Sequence, residues 1–268
     1  MMLRSALVAY LLFCCNVSFA QQEIGPGAPL FEAVMMGDYL EVERLVEAGA
    51  NPASLTDGSR SPILLMAARH GLQPTGAGGS DQDYQFTVMA LVNGGAPVDQ
   101  RGPTGWTALM ESASKGFEKT ANTLLSLGAD PNAITDSGNS AIFFAAESGH
   151  WEVVEELVRR GARATQATQR SFDRALTHAV LYERLSTAGA LLSAGADPQT
   201  KEPTGLGLGS LAHTSMALES GEEMLGLLVK YGGGFFQDEL QKIRKGCAQE
   251  STPPEECDRL IESLSPRK

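Results

Sequence analysis

An all-α solenoid of about six helix–turn–helix repeats, with short hairpin-like fingers and a helical C-terminal cap, is the fold class the sequence predicts. Three observations predict it. A Gly-Ala or Gly-Gly pair recurs at Gly49, Gly95, Gly128, Gly161, Gly195 and Gly232, at intervals of 46, 33, 33, 34 and 37 residues. Each interval holds two apolar stretches with helical spacing, a short one and a longer one. A polar, turn-forming stretch such as "DPNAITDSGNS" then leads to the next pair. A period near 33 residues over most of a chain marks stacked modules, each burying only part of its apolar surface and relying on its neighbours for the rest.

The elements follow in order. "MMLRSALVAYLLFCCNVSFAQQ" has one cation, Arg4, an uncharged apolar run from Ala6 to Phe13, and small residues Ser18 and Ala20 before Gln21. Residues 1–20 read as a secretory signal peptide, cleaved after Ala20, and the run is short for a bilayer span. Two alternatives stand beside it. A retained membrane anchor is opposed by the break at Asn16; lipoprotein processing before Cys14 is opposed by bulky Phe13, and processing before Cys15, after "LFC", is less strongly opposed. Residues 21–27 form a short linker. The solenoid occupies residues 28–233. Its short first helices are "LFEAVMMG", "LLMAARHG", "LMESASKG", "IFFAAESG", "LTHAVLYE" and "TSMALESG". Its second helices are "EVERLVEAG", "TVMALVNGG", "TANTLLSLG", "EVVEELVRRG", "AGALLSAG" and "EEMLGLLVKYG". In the fourth pair Val153, Val154, Leu157 and Val158 make one apolar stripe. The Gly after each second helix suits a left-handed C-terminal cap. The second pair carries an insertion at 72–86, "LQPTGAGGSDQDYQF", placed between its two helices. Residues 234–268 form a cap of two helices, with Thr252, Pro253 and Glu255 as an N-terminal signature of the second. Cys247 and Cys257 are the two cysteines left after signal removal, and in an oxidising compartment they predict a disulfide across the hairpin.

These units resemble ankyrin repeats. The resemblance rests on "GWTALMESASKG" and "GNSAIFFAAESGHWEVVEELVRRGA", on the Ala pairs and on the repeated Gly-Ala. The chain departs from the family pattern at one place in every unit. Where the family has the His of Thr-Pro-Leu-His stand Phe31, Leu65, Met110, Phe143, Thr177 and Ser215. The hydrogen bonds that this His supplies between repeats must then be replaced by apolar packing, which predicts a less regular stack.

Chemistry finds little support. The four His are spread over different repeats, without a His-x-x-x-His or paired-Cys signature for a metal. "GAGGS" lacks the Gly-Lys-Ser/Thr ending of a phosphate loop. No catalytic, cofactor-binding or metal residue is assigned, and a non-catalytic protein is expected. Formal net charge is −11, and −12 once Arg4 leaves with the signal. A chain this acidic repels nucleic-acid phosphates and anionic headgroups, so the expected partner is another protein, with no nucleic acid and no membrane insertion after cleavage.

What the resemblance implies about binding is a concave face lined by fingers and first helices. The candidate partner-binding residues there are Arg60, Arg69 and His70; Arg101, Thr104, Trp106, Ser114 and Lys115; Ile134, Asp136, Asn139, Glu147 and Ser148; and Phe172, Asp173 and Tyr182. The insertion adds Tyr84 and Phe86, next to acidic Asp81 and Asp83. Trp106 has two readings, a solvent-facing anchor for a partner or a ring folded over its own finger. Trp151 reads as packing. Similarity to periplasmic ankyrin proteins implies an immunity protein that neutralises a type VI secretion effector. The alternative is a periplasmic scaffold that supports a resident enzyme such as a catalase in stress resistance.

Overall fold

The structure is a computed structural model that describes residues 28–57, 59–69, 81–201, 207–209, 220–235, 240–241 and 262. The expected signal peptide, His70, most of the insertion and the Cys247–Cys257 cap lie outside the described residues. Eleven α-helices occur among those described: α1 (Ala28–Met36), α2 (Tyr39–Glu47), α3 (Ile63–Arg69), α4 (Asp81–Asn93), α5 (Ala108–Lys115), α6 (Glu118–Ser126), α7 (Ala141–Glu147), α8 (Trp151–Arg159), α9 (Gln169–Leu181), α10 (Leu185–Ser193) and α11 (Ser220–Lys230). The chain divides into two compact units, Met1–Ser137 and Gly138–Lys268.

In the first unit the helices form two layers. The first helices α1, α3 and α5 pack side by side, and the second helices α2, α4 and α6 do the same over them. Sequence explains which layer is more enclosed. Every residue of α3 from Ile63 to Ala68 is buried, as is every residue of α5 from Ala108 to Ala113. Helix α3 lies between α1 and α5 with α4 on its back, and α5 lies against α3 and α6, so an apolar residue at almost every position finds cover. The second helices keep a polar outer stripe: on α2 Val42 is buried while Glu43 and Glu47 are exposed. In the second unit α7 packs on α8 and α9, α9 on α10, α8 on α10, and α10 on α11. The fingers are minimal hairpins, closed by single antiparallel bridges between Thr56 and Pro62 and between Lys201 and Gly207.

The recurrent glycine does what its position requires. Gly49, Gly95, Gly128, Gly161, Gly195 and Gly232 all have positive φ, from 86° to 104°. There the chain reverses out of the second helix through a conformation that a Cβ disfavours. At the position of the missing family His, Leu65 and Met110 are 1% exposed and Phe143 is 3% exposed. Apolar packing has replaced the polar link in these three repeats. Thr177 keeps a local bond instead, its hydroxyl donating to the Asp173 carbonyl at 3.0 Å. Phe31 is only half-buried, and Ser215 lies outside the described residues.

Two expectations are corrected. The insertion does not run to 86: α4 begins at Asp81, so residues 81–86 are the opening turn and a half of the second helix. The fifth first helix spans Gln169–Leu181, beginning well before the "LTHAVLYE" stretch. Both shifts bury residues placed on the surface from sequence. Tyr84 is 4% exposed, and Phe172 is 0% exposed and among the largest fully buried side chains. Each extra helical turn lies against a neighbouring repeat, where a large ring has more to gain from the core than from water.

Candidate protein-binding surface

In the first unit the candidate surface is built from fingers and first-helix ends. The finger before α5 turns at Gly105, whose φ of +77° puts the chain where a side chain is strained. A Cβ there would lie 2.9 Å from the Asp136 backbone N and would also meet the Arg101 guanidinium. That emptiness lets two successive fingers touch. The Asp136 N–H donates to the Thr104 carbonyl at 3.1 Å. The Arg101 Nη2 donates to the Asp136 carboxylate at 3.1 Å. Both side chains are about half exposed, at 48% and 66%, so the ion pair adds under about 1 kcal/mol to stability. Its effect is positional: the two fingertips present a fixed plus–minus pair with the Trp106 ring beside it in sequence. Trp106 is partly buried, and its carbonyl accepts the Gly102 N–H at 2.8 Å. The ring is thus neither fully covered nor fully in solvent.

Below the fingers, Arg69 at the end of α3 reaches Glu111 on α5, with 3.4 Å between Nε and Oε2. Glu111 is only 7% exposed at its side chain, while Arg69 is 36% exposed. A carboxylate this enclosed needs a cation, so Arg69 is partly committed to the fold rather than free for a partner. Glu111 was missed from sequence, although a charge among Leu109, Met110 and Ala113 was a readable signal. Arg60 sits in a tight turn, with φ 64°, and its N–H donates to the Asp57 carbonyl at 2.9 Å. The Asp57 carboxylate accepts the N–H groups of Ser59 and Ser61 at 2.8 Å each, which fixes that turn and leaves Arg60 exposed. Lys115 is exposed at the end of α5, where a cation suits the helix C-terminus. Ser114 and Ile134 are half-buried.

Carboxylates fasten the bases of these structures. Asp99 accepts the Asp130 N–H with both oxygens at 3.1 Å. Burial raises its pKa above the ordinary carboxylate value; the bond from the Asp130 N–H opposes the rise and the Asp130 charge adds to it. In the second unit Asp173 accepts the Asp197 N–H and the Gln169 side-chain amide, each at 2.8 Å. Its pKa is likewise raised, chiefly by burial. Asp173 therefore supports a loop and does not stand out as a contact.

Of the remaining sequence candidates in the second unit, Glu147 and Ser148 are exposed at the end of α7, and Asn139 is half-buried ahead of it. Tyr182 is 62% exposed. Phe172, as noted, is in the core. Tyr84 and Phe86 belong to an aromatic edge that sequence reading did not find: Tyr84 meets Phe117 at 4.8 Å between centroids, and Phe86 meets Tyr39 at 5.1 Å. These contacts tie second helices together where they leave the turn, so both rings stiffen the unit. Trp151 is 7% exposed and contacts the Tyr182 ring at 5.8 Å. Arg174 lies 4.0 Å over the Phe143 ring.

Among the described residues no group of three or more His, Cys, Asp or Glu is placed to hold a metal ion. No described helix is long and apolar enough to cross a membrane. The arrangement offers fixed charges and rings on a scaffold.

Comparison with known proteins agrees with the geometry. A family model of three ankyrin repeats matches residues 30–135, and a single ankyrin-repeat model matches residues 137–168. The ankyrin repeat and KH domain-containing protein mask-1 of Caenorhabditis elegans is 38% identical over 121 residues, covering 44% of this chain and 5% of that protein. An ankyrin repeat-containing protein of Treponema pallidum is 33% identical over 142 residues, covering 51% of this chain and 43% of its own. The chain thus spans a small fraction of the first and under half of the second. The crystal structure of the ankyrin repeat domain of Bcl-3 aligns with a TM-score of 0.57 at 24% identity, covering 76% of this chain and 86% of that one. With the family models matching just over half of its 268 residues, the chain belongs to the ankyrin-repeat family.

Proposed function

We propose that this is a non-catalytic, exported protein that binds another protein through its finger surface, and that the partner is a toxin. The observation that carries the binding reading is the stitched finger pair, Arg101–Asp136 around Gly105, with Trp106 next in the chain. A rigid charge pair beside a half-covered indole is what a specific docking surface uses, because little side-chain entropy remains to be lost on association. Export rests on the N-terminal stretch before Gln21, and the periplasm is the compartment it suits. The immunity role rests on the resemblance to periplasmic ankyrin proteins and on net acidity, which steers a basic toxin to the surface and speeds association.

The test has two arms. Mass spectrometry of the mature protein from periplasm is expected to begin at Gln21; an unprocessed chain, or one lipidated at Cys14 or Cys15, rejects the exported free form. Expression in target cells challenged with type VI effectors is expected to give rescue by the wild type and loss of rescue with Arg101→Ala combined with Trp106→Ala. Stable capture of a resident enzyme such as a catalase, with no rescue from any effector, rejects immunity in favour of the scaffold role.

A further inference from the structure

Acid outnumbers base in this chain, 32 Asp and Glu against 21 Lys and Arg, so an arginine beside no carboxylate is informative. Among the described residues Arg44, Arg69, Arg101, Arg159 and Arg160 each pair with an Asp or Glu. Arg170 and Arg174 on α9, and Arg184 just past it, pair with no described carboxylate. Asp173 is next to Arg174 in the chain, yet its carboxylate is taken by the Asp197 N–H and the Gln169 amide, each at 2.8 Å. Arg174 lies instead over Phe143 of α7, 4.0 Å from the ring centre, and Arg184 lies over Trp151 at 5.7 Å. Arg170 and Arg184 are exposed, and Arg174 is half-buried.

Arg170, Arg174, His178 and Tyr182 follow one another at four-residue steps, the spacing that lines side chains along one side of a helix. The His178 ring stacks on Tyr182 at 6.4 Å, and Tyr182, 62% exposed, meets Trp151 at 5.8 Å. Other first helices close on glycine after this place: Gly37, Gly116 and Gly149, with φ 68°, 70° and 78°. Helix α9 closes on Glu183, at φ 56°, so its turn carries a side chain where those have none. Helices α7 and α9 run side by side in one direction. The Ser171 hydroxyl accepts the Ser140 N–H at 3.0 Å, and three residues on in each helix Arg174 covers Phe143. Glu147, the exposed carboxylate that ends α7, is therefore level with His178, a turn beyond Arg174. The cationic half of the face is the half toward the start of α9.

We infer that this face of α9 is a docking surface for an acidic segment of a partner protein, with carboxylates on Arg170 and Arg174 and an aromatic side chain on Tyr182. Charge complementarity selects that occupant. A guanidinium offers paired N–H donors to a carboxylate, and the ring beneath Arg174 holds it in place, so little freedom is lost on binding. Spacing agrees. Four helical residues set Arg170 and Arg174 about 6 Å apart along the axis, close to the separation of alternate residues in an extended segment. Tyr182 lies about 12 Å further, which about four extended residues span. The inference goes beyond the finger reading: a partner seated here needs a local acidic stretch, whatever its overall charge.

The experiment titrates the intact mature chain with a fluorescein-labelled peptide that has Glu at two alternate positions and Phe four residues on. Salt is held at about 0.1 M, where charges more than about 10 Å away are screened and the local arginines dominate. The Glu peptide is expected to bind, and a counterpart with Gln at both positions to bind about tenfold more weakly. Arg170→Gln and Arg174→Gln each weaken the Glu peptide by about tenfold, and Tyr182→Ala weakens both peptides. Arg170→Glu with Arg174→Glu moves the preference to a Lys counterpart. Arg101→Ala on the fingers leaves affinity unchanged, which separates this surface from the one proposed above. Circular dichroism confirms that the variants fold; Arg170 is exposed, so its replacement leaves the core intact. Absence of binding, or equal binding of the Gln counterpart, overturns the proposal. So does equal weakening by Arg44→Gln on α2, which would make net charge the cause. A concentration-dependent dimer that Arg170→Gln abolishes in sedimentation velocity also overturns it, by seating a second copy of the chain there.

Discussion

Replacing Asp81 with alanine should cost the first unit about 2 kcal/mol, more than the loss of the exposed helix cap Asp38. Helix α6 has Phe117 at its N-cap, a residue with no side-chain acceptor for the orphan N–H groups. Asp81, thirty-six residues earlier and the first residue of α4, supplies the acceptor. Its carboxylate takes the Lys119 N–H at 2.6 Å, the Thr120 N–H at 2.9 Å and the Thr120 hydroxyl at 2.8 Å. Lys119 is exposed, so water replaces its bond at little cost. Thr120 is 0% exposed, so its N–H is left without a partner, worth about 1–2 kcal/mol. Its hydroxyl keeps the Asp81 carbonyl at 3.1 Å. Adding about 0.5 kcal/mol for the lost charge at a helix N-terminus gives the estimate. Asp38 is the control. It caps α2 from the same position and with nearly the same dihedrals as Phe117, φ −85° and ψ 81° against −80° and 81°. It bonds only the exposed Glu41 N–H, at 3.1 Å, so Asp38→Ala should cost about 0.5–1 kcal/mol. Urea unfolding followed by circular dichroism measures both. The reasoning is refuted if Asp81→Ala lies within about 0.5 kcal/mol of wild type, or if Asp38→Ala is the more damaging of the two.

Three further predictions follow from other contacts. Asp99 and Asp173 have raised pKa values in the folded state, so the folded chain binds more protons than the unfolded one at mildly acid pH. Their contribution is fully present below the ordinary aspartate value of 3.8 and is lost as pH rises through the elevated folded value. Asp99→Asn and Asp173→Asn should each flatten that fall in a series of urea midpoints from about pH 4 to pH 7; unchanged slopes would count against the assignment. Gly105→Ala should destabilise by about 2 kcal/mol, because a Cβ at φ +77° lies 2.9 Å from the Asp136 N and is strained there. Thermal unfolding reads the loss, and partner binding by the fingers should fall with it. Phe172→Ala should cost about 3–5 kcal/mol as a core truncation, whereas a surface ring would cost under 1.

The period of Gly-Ala pairs carried the fold because each pair has a local cause, a chain reversal that recurs once per module. The buried first helices were legible for the same reason: "ILLMAA" and "ALMESA" read as nearly continuous apolar runs. What sequence concealed depends on partners one repeat away. Tyr84 looked like part of a polar insertion because "SDQDYQF" has no periodicity of its own; its core position comes from Phe117, thirty-three residues on. Asp81 looked like a surface acid for the same reason. Phe172 was misplaced because the fifth first helix starts early, and only the neighbouring repeat shows that the added turn is covered. The exposed turn at Leu181 and Tyr182 did leave a trace, since "VLYER" breaks the Gly rule at Glu183.

That contrast changes the meaning of the chain's acidity. Four carboxylates reach across to the next repeat: Asp81 to Lys119 and Thr120, Asp99 to the Asp130 N–H, Glu155 to the Ser186 and Thr187 hydroxyls, and Asp173 to the Asp197 N–H. Leu65, Met110 and Phe143 fill the position from which the family His joins repeats, yet apolar contacts do not fix register. Directional acceptors on a neighbouring helix or loop do. Part of the negative charge is therefore structural and is already engaged with donors of the chain itself. The charge that can select a partner is the remainder, such as the exposed Glu147 and Glu152. Salt should consequently weaken partner binding much more than it weakens folding, because the exposed carboxylates are screened within about 10 Å at 0.1 M salt while the enclosed ones are not. A partner whose affinity is independent of salt would have to dock on apolar contacts alone, and neither the fingers nor the α9 turn offers enough of them for that.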